Sequence, residues 1–387
     1  AEMRHQTSPV RINHTTAGQS AYFITRYHDA MTVLKDPRFI NDARKLPGWN
    51  DWTKKWYVPT PLKTFVDSMA LADEPDHTRL RSLVHKAFTP SRVQQLAGDI
   101  ERIANELLDA AASKREIDFM ADYALPLPLT VIADMMGVPQ PDRTKFRRWM
   151  SNTIADISPN DRLKLIPKML NALGLNGLLK RLVEDRRRNP RDDLTTALVQ
   201  AEEAGDRLSE DELIAMLFLI LFAGHETTVN LIGSGTLALL QHPDQFAQLK
   251  ANPDLMDSAI EELLRYTNPV QHIAYRYALE AVTLGDIEIP QYGTALVGIG
   301  AANRDETVFE NPEVLNITRH PNPHVAFGFG IHYCLGAPLA RLEAKIAFST
   351  LFERFPNLQL AAPADQLQWR GAPSLRGLVS LPVRLQG

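Results

Sequence analysis

The pattern of apolar and polar positions predicts a mainly helical chain. From about 75 to 266, apolar residues recur at helical spacing, which places them on one face of each helix. In the stretch 89–113, Thr89 is placed to cap a helix and Pro90 follows at the first helical position. The apolar positions of this stretch are Val93, Leu96, Ile100, Ile103 and Leu107. The middle of the chain is therefore predicted to be helical.

The longest predicted helix begins at Ser209 and is apolar on most of its sides. Ser209 and Glu212 match the capping-box pattern of a helix start, and His242-Pro243 ends the helix. About thirty residues at a rise of about 1.5 Å each span roughly 45 Å. A helix of this kind is predicted to run through the middle of a domain. Its longest uncharged apolar run, 213–224, is too short to cross a bilayer, so we predict no membrane insertion.

Strand-like alternation is rare and lies mainly in two late segments. The first is 280–300, which contains the stretches VTLGDIEIP and TALVGIG. The second is 358–385, which contains GLVSLPVRL. The predicted fold class is mainly α with a minor β portion, and no repeat or linker divides 1–387, which predicts a single domain. The stretch 44–72 lacks a clear period, which predicts a lid or binding loop. It contains Trp49, Trp52 and Trp56.

The composition is that of a globular protein. Hydrophobic residues make up 44% and charged residues 23% of the 387 residues, which is ordinary for a protein with a large core. The formal net charge is −4, so no global basic field favours nucleic acid as a partner. A single cysteine fits a reducing compartment, and the first ten residues lack the apolar core of a signal peptide. We therefore predict a cytoplasmic protein that binds no nucleic acid.

The single cysteine, Cys334, lies in the stretch AFGFGIHYCLG (326–336), just before a predicted helix. Three interpretations compete for a lone cysteine: a buried structural residue, a zinc ligand and a nucleophile. The sequence offers no second cysteine or suitably spaced histidine pair for zinc, and it reveals no base or orienting partner for a nucleophile. None of the three accounts for the whole pattern Phe327-x-x-Gly330-x-His332-x-Cys334-x-Gly336.

This pattern resembles the haem-ligand loop of the cytochrome P450 superfamily at every fixed position. The resemblance extends from about Tyr22 to Val383, in the style of soluble bacterial members. It implies the P450 fold, a single triangular-prism-like domain with a long central helix over haem b. It also implies that Cys334 is the axial ligand of the haem iron, where a thiolate favours cleavage of bound dioxygen, and that Phe327 and Gly336 contact the haem.

A second motif, LFAGHETTV (221–229), lies within the long apolar helix. Glu226 and Thr227 are polar in a segment expected to be buried, which a satisfied polar pair in a core would also explain. The motif resembles the P450 signature above the distal face of the haem. The resemblance implies that Glu226 and Thr227 relay protons to iron-bound oxygen and that Ala223 contacts the haem. His225 fills an unmatched position and is expected to be structural.

Glu262 and Arg265 are spaced three apart in the stretch AIEELLRY. Most pairs with this spacing are surface ion pairs of little energetic consequence. The spacing also matches the E-x-x-R motif of the family. The resemblance implies a buried structural pair that braces the haem-ligand loop, with Arg319 as its third member.

His77 and Arg81 lie one turn apart on one face of a predicted helix. A solvated charged face is the simpler interpretation of this spacing. The resemblance implies instead that both contact the haem propionates, for which arginine is suited by its bidentate geometry. It gives the same role to Arg276 and His332.

The resemblance implies a monooxygenase that inserts one atom of O₂ into a C–H bond of a small hydrophobic organic molecule. The chain carries no flavin, nicotinamide or iron–sulfur motif, so electrons are expected from a ferredoxin or flavodoxin served by its reductase. The candidate docking cations for this carrier are Lys86, Arg92, Arg341 and Lys345. The candidate substrate-pocket residues are Met69, Leu219, Ala223, Val270, Gln271, His272, Ile273 and Leu375.

Other functions remain open at this point. A haem-thiolate enzyme could catalyse epoxidation, C–C coupling or a peroxide-driven oxidation instead. A non-catalytic haem carrier or gas sensor would not need the Glu226–Thr227 pair. A helical protein without haem would leave Cys334 as a buried side chain.

Overall fold

The computed structural model describes most of the chain. It covers residues 8–13, 20–49, 63, 66–154, 162–203, 206–273, 275–370 and 374–385, with the side chains of 13, 20, 151–168 and 202–203 left aside. Most of the predicted irregular stretch 44–72, including Trp52 and Trp56, lies outside these residues, so the prediction of a lid or binding loop stays a prediction.

Helices dominate the described residues, as the apolar spacing predicted. In chain order they are α1 (Tyr27–Lys35), α2 (Asp76–Ala87), α3 (Pro90–Gln95), α4 (Ala97–Ala112), α5 (Pro126–Met135), α6 (Gln140–Ile154), α7 (Arg162–Arg188), α8 (Leu194–Gln200), α9 (Glu210–Gln241), α10 (Pro243–Ala251), α11 (Met256–Thr267), α12 (Ile299–Ala302) and α13 (Ala337–Arg354). One difference concerns 89–113, which forms two helices rather than one. The chain turns at Leu96, whose N–H bonds the Val93 carbonyl at 3.1 Å, and Thr89 caps the first helix as predicted.

The strands are short and more widely spread than the sequence pattern indicated. They are β1 (Val10–Asn13), β2 (Ser20–Ile24), β3 (Phe39–Ile40), β4 (Glu116–Asp118), β5 (Glu202–Glu203), β6 (Asp206–Arg207), β7 (Arg276–Ala278), β8 (Val282–Leu284), β9 (Ile287–Ile289), β10 (Thr294–Val297), β11 (Gln359–Leu360) and β12 (Pro382–Arg384). The main sheet has the order β1-β2-β10-β7-β3, a second has the order β11-β12-β4, and β5-β6 and β8-β9 are separate pairs.

The early strands β1, β2 and β3 escaped the sequence analysis because they are short, and β2 and β3 also pair with strands that are distant in the chain. β2 pairs in parallel with β10, with Ala21 opposite Thr294, and β3 pairs with β7, with Phe39 opposite Ala278. A strand of two to five residues carries too little alternation to be recognised before its partner is known.

The chain forms two compact units. Unit 1 is drawn from Ala1–Pro47, Ala104–Ala124 and Thr227–Gly387, and it contains the main sheet and β11-β12-β4. Its main apolar cluster packs α1 and α12 with the sheet through residues such as Ile24, Leu34 and Phe309. The backbone N–H of Tyr27 donates to Asp305 Oδ2 at 2.7 Å, which ties the start of α1 to a late loop of the chain.

Unit 2 is drawn from Gly48–Ile103 and Leu125–Glu226. Its helices bury an ion pair between Arg186 and Asp193, whose side chains are 1% and 5% exposed. Arg186 also donates to the Gly137 carbonyl at 2.7 Å, and the Asp193 carboxylate accepts from the Thr196 N–H at the start of α8 at 2.8 Å. One buried guanidinium therefore joins the ends of α5, α7 and α8.

Helix α9 has the boundaries and cap that the sequence predicted. The Ser209 N–H donates to Glu212 Oε2 at 2.8 Å, and the Glu212 N–H donates to Ser209 Oγ at 3.3 Å. By length and composition this helix could cross a membrane, although its uncharged run alone is too short. The core helix of a soluble protein passes the same test, and 61% of the most apolar window is buried.

Candidate functional site

Cys334 lies at the end of a tightly wound loop in unit 1. Its N–H donates to the Phe327 carbonyl at 2.9 Å, and the Tyr333 N–H donates to the Gly330 carbonyl at 3.1 Å. Gly328 and Gly330 have φ values of +72° and +73°, a region that residues with a Cβ rarely adopt. A Cβ on Gly330 would also lie 2.6 Å from the Leu34 carbonyl oxygen. Backbone geometry therefore favours glycine at both positions, of which Gly330 is a fixed position of the motif.

The Cys334 thiol is partly accessible and lies close to the start of a helix. Cys334 is half-buried and unbridged, and α13 begins three residues later. The positive end of a helix dipole favours a thiolate. Within the described residues, no three His, Cys, Asp or Glu side chains are grouped so that they could hold a metal ion. The described residues therefore give no support to a zinc site.

Two of the predicted propionate ligands lie in the same unit as Cys334. Arg276 is 4% exposed and begins β7. His332 is half-buried in the turn that precedes Cys334, and Asn41 Nδ2 donates to its Nε2 at 2.5 Å. Asn41 was not predicted as part of the site, because nothing in its local sequence marks it.

Glu262, Arg265 and Arg319 form one buried cluster in unit 1. Arg265 donates from Nε and Nη2 to the two oxygens of Glu262, each at 2.8 Å, and both side chains are 0% exposed. Arg319 Nε donates to the same carboxylate at 3.1 Å. Arg265 also donates to the carbonyls of Asn303 and Pro312 at 2.9 and 2.8 Å. The cluster joins α11 to the segment that leads into the Cys334 loop.

The predicted distal motif lies in the middle of α9. Glu226 is 6% exposed, Thr227 is half-buried, and Ala223 is exposed although the helix around it is largely buried. His225 is 2% exposed, and its Nδ1 bonds the Leu221 carbonyl at 2.9 Å. A Cβ on Gly224 would meet Ile132 Cδ1 at 2.9 Å. The small residues thus allow α5 to approach α9 closely.

The other predicted propionate ligands lie on α2 in unit 2. His77 is 1% exposed, and Arg81, one turn later, is half-buried. The solvated charged face considered for this helix is therefore wrong for His77. Helix α2 buries Leu80, Leu83 and Val84, which fixes the face on which His77 lies.

The substrate-pocket candidates divide between the two units. In unit 1, Val270 and Leu375 form an antiparallel bridge, the Gln271 N–H donates to the Ser374 carbonyl at 2.8 Å, and the Ile273 N–H donates to the Val297 carbonyl at 3.0 Å. The candidates of unit 1 are all half-buried: Val270, Gln271, His272, Ile273 and Leu375. In unit 2, Met69 is 7% exposed and Leu219 is half-buried on α9.

The side chain of Gln271 is already engaged within the protein. Its Nε2 donates to the Asn268 carbonyl at 2.6 Å, and the side chain of Asn268 in turn accepts from Asn303 at 2.7 Å. Asn303 Oδ1 accepts from the Val325 N–H at 2.8 Å. A chain of amides that the sequence did not reveal therefore joins a pocket candidate to the start of the Cys334 loop.

The family model for cytochrome P450 matches residues 19–371 of this chain. The chain belongs to the cytochrome P450 family. The polyketide biosynthesis cytochrome P450 PksS of Bacillus subtilis is 49% identical over 365 residues, which cover 94% of this chain and 89% of that relative. The 6-deoxyerythronolide B hydroxylase of Saccharopolyspora erythraea is 40% identical over 393 residues, which cover 100% and 95%.

A solved structure of the Bacillus subtilis PksS matches this P450 with a TM-score of 0.92 and 46% identity, over 100% of this chain and 95% of that one. The P450 fold is therefore confirmed, with mainly helical content and a minor sheet portion. Because its relatives include hydroxylases, the protein is an oxidoreductase enzyme. The family implies a haem-thiolate cofactor.

The donor set of this P450 fits a haem. A half-buried thiol stands before a helix on a loop wound by two left-handed glycines, with Arg276 buried in the same unit. A Cβ on Gly336 would meet the Cys334 sulfur at 3.9 Å, an ordinary van der Waals distance. Histidine and arginine side chains are suitable partners for carboxylates.

Sequence reasoning missed a cluster beside the Cys334 loop in this P450. Glu261 accepts from Arg341 Nε and Nη2 at 2.6 and 2.7 Å and from His324 Nε2 at 3.0 Å. Lys345 pairs with Asp257 at 2.7 Å. Arg341 and Lys345, predicted as docking cations, are thus both engaged in ion pairs. The sequence does space Asp257 and Glu261 four residues apart on one helix and Arg341 and Lys345 four residues apart on another. Only the packed structure shows that these two helices lie side by side.

Proposed function

We propose that this P450 inserts one atom of O₂ into a C–H bond of a small hydrophobic organic molecule. The observation that carries the proposal is the Cys334 loop, which offers one half-buried thiol before a helix N-terminus. A histidine-ligated carrier would not need a thiolate, which favours cleavage of the bound O–O bond. The hydroxylase among the relatives supports the same reaction class.

Cys334 would bind the iron of haem b, and the family pattern assigns the propionates to His77, Arg81, Arg276 and His332. When bound, the haem supplies the activation of dioxygen, and the protein supplies orientation, protons and exclusion of water. His77 in unit 2 is 1% exposed and Arg276 in unit 1 is 4% exposed, so each of these donors is individually well desolvated. Phe327, Gly336 and Ala223 would contact the porphyrin.

Glu226 and Thr227 would deliver protons to the distal side. A carboxyl can release and regain a proton, and a hydroxyl can pass one on, so consecutive residues of these types form a short relay. Glu226 is 6% exposed whereas Thr227 is half-buried. Thr227 is thus the more accessible of the two side chains.

The substrate is proposed to be an apolar organic molecule of the kind made by polyketide biosynthesis. The pocket candidates are largely apolar, and the names of two relatives refer to polyketide biosynthesis and to a deoxyerythronolide. Because Gln271 already donates to the Asn268 carbonyl, its Oε1 is the atom we assign to a hydroxylated substrate.

Electrons are proposed to arrive from a ferredoxin or flavodoxin with its reductase in the cytoplasm, and the chain is proposed to work as a single domain. Of the four docking candidates, Lys86, Arg92 and Lys345 are exposed. Arg92, Arg341 and Lys345 form ion pairs with Asp192, Glu261 and Asp257. An acidic carrier would be attracted to such cations by charge complementarity.

The decisive experiment is the absorbance spectrum of the purified protein, chemically reduced and exposed to carbon monoxide. A strongly red-shifted Soret band is expected for the native protein, and Cys334→Ser should lose it. A native Soret band at the position typical of histidine-ligated haem, or no haem binding after reconstitution, would overturn the proposal. With isotopically labelled O₂ and a reconstituted electron carrier, the product should contain one labelled oxygen atom.

A further inference from the structure

Two ion pairs join helices α11 and α13 in an antiparallel arrangement. Asp257 pairs with Lys345 at 2.7 Å, and Glu261 pairs with Arg341 at 2.6 Å. A step of four residues forward on α11 corresponds to a step of four residues back on α13. The two pairs therefore connect the same helices by the same chemistry, one turn apart.

Only the Glu261–Arg341 pair reaches the Cys334 loop. Arg341 Nη1 donates to the Tyr333 hydroxyl at 3.3 Å, and its guanidinium lies 4.6 Å from the centre of the Phe327 ring. Glu261 has a second partner besides Arg341: His324 Nε2 donates to Glu261 Oε2 at 3.0 Å. The Asp257–Lys345 pair is exposed at 73% and 48% and forms no such contacts among the described residues.

The contacts of Arg341 and His324 fall on both ends of the loop. His324 Nδ1 accepts from the Ala326 N–H at 3.2 Å, immediately before Phe327. The Phe327 carbonyl accepts from the Cys334 N–H at 2.9 Å, and Tyr333 directly precedes Cys334. The Phe327 and Tyr333 rings also meet edge-on, with centroids 6.3 Å apart. The carboxylate of Glu261 thus binds His324, which lies before the loop, and Arg341, which lies after it. These two residues contact Ala326, Phe327 and Tyr333 of the loop.

We propose that Glu261 is a positioning residue for the Cys334 thiolate, acting through Arg341 and His324 on Phe327 and Tyr333. The inference rests on the proposed haem-thiolate function, and it assigns to Glu261 a role separate from that of its neighbour Glu262. Glu262 braces the segment before the loop from a fully buried cluster. Glu261 instead orients the residues that touch the cysteine itself, as groups behind a metal ligand commonly do.

The electrostatics of the cluster agree with this geometry. Burial acts to raise the pKa of Glu261, but the hydrogen bonds from Arg341 and His324 outweigh it and lower the pKa to about 2. Glu261 is therefore ionised over the working range of pH and keeps the Arg341 guanidinium balanced by a fixed negative charge. Without that carboxylate, an unbalanced cation would remain beside the loop, and a cation favours the reduced, more negative iron centre.

The test compares Glu261→Gln and Glu261→Ala with the matched controls Asp257→Asn and Asp257→Ala. Each protein is loaded with haem and reduced chemically, so that no electron carrier is involved. Three quantities are measured: the fraction of the carbon monoxide complex with the red-shifted Soret band, the midpoint reduction potential, and the rate of haem loss to an acceptor protein.

We expect both Glu261 variants to lose part of the red-shifted band and to shift the potential upward. Glu261→Ala should also raise the rate of haem loss about tenfold or more, the usual scale for loss of a group behind a metal ligand. Glu261→Asp should restore part of each property, because it retains the charge. The Asp257 variants should match the native protein in all three quantities.

Two results would overturn the inference. In the first, both Glu261 variants keep the native Soret band and the native reduction potential. In the second, the Asp257 variants change these two properties as much as the Glu261 variants do, which would mean that both ion pairs serve only to pack α11 against α13. If Glu261→Ala does not fold, the near-isosteric Glu261→Gln decides. A native protein without the red-shifted band would refute the proposed function itself, which is a separate outcome from native-like behaviour of the variants.

Discussion

Arg265 donates hydrogen bonds to both carboxylate oxygens of Glu262, each at 2.8 Å, and both side chains are fully buried. Removing one partner of such a pair leaves the other charge buried without compensation. The expected result for Glu262→Ala or Arg265→Leu is a loss of about 3–5 kcal/mol in the free energy of unfolding. Denaturant unfolding measures it, with the exposed pair variant Asp257→Asn as the control. A loss below that of the control would contradict the structural role of the pair.

Gly330→Ala is expected to destabilise the protein. Its φ of +73° costs about 1–3 kcal/mol for a residue with a Cβ, and the Cβ would lie 2.6 Å from the Leu34 carbonyl oxygen. The control is Gly98→Ala, at an exposed position of α4, where a Cβ meets nothing within 4 Å. This variant should be neutral or gain up to about 1 kcal/mol. Equal melting temperatures for the two variants would show that the loop can relax around a side chain.

Glu343 is expected to make stability fall as pH rises. Its carboxyl is 2% exposed, and its Oε2 has no hydrogen-bond partner in the described part of the chain. Burial raises its pKa from 4.5 to about 8. The folded protein therefore keeps a proton that the unfolded chain releases above pH 4.5, and the folded state loses stability between these values.

Glu343→Gln removes this titration. At pH 7 the variant should be more stable than the native protein by at most roughly 3 kcal/mol, with the difference shrinking towards pH 5. Urea unfolding of both proteins from pH 5 to pH 8 measures it. A difference that does not change with pH would mean that Glu343 titrates normally.

Thr227→Ala is expected to uncouple electron use from product formation. Substrate and O₂ binding should persist, because the side chain is small and half-buried, while loss of the hydroxyl interrupts proton delivery. Reducing equivalents would then appear as peroxide. The ratio of product to electrons consumed measures this, and Thr228→Ala, the next residue on α9, is the matched control. An unchanged ratio in Thr227→Ala would remove the relay assignment.

Local sequence was sufficient for the elements that local chemistry specifies. The capping box at Ser209 and Glu212 predicted the start of α9, and Thr89 with Pro90 predicted the start of α3. The resemblance at fixed positions was sufficient for the family, which the comparisons confirm.

Contacts between distant segments were not accessible from the sequence. The pairing of β2 with β10, the bond from Asn41 to His332 and the amide chain from Gln271 to Val325 each join residues far apart in the chain. Such contacts depend on how elements pack, and a lone asparagine or a strand of a few residues has the same local pattern whether or not a partner faces it.

The sequence by itself determined the helical class and the boundaries of α9, because these depend on neighbours within a few residues. Only the tertiary structure decided which charges are paired. Glu261 and Glu262 are adjacent and chemically identical, yet one binds Arg341 and His324 and the other binds Arg265 and Arg319. Successive residues of a helix point about 100° apart, so the packing around α11 gives each carboxylate a different set of partners.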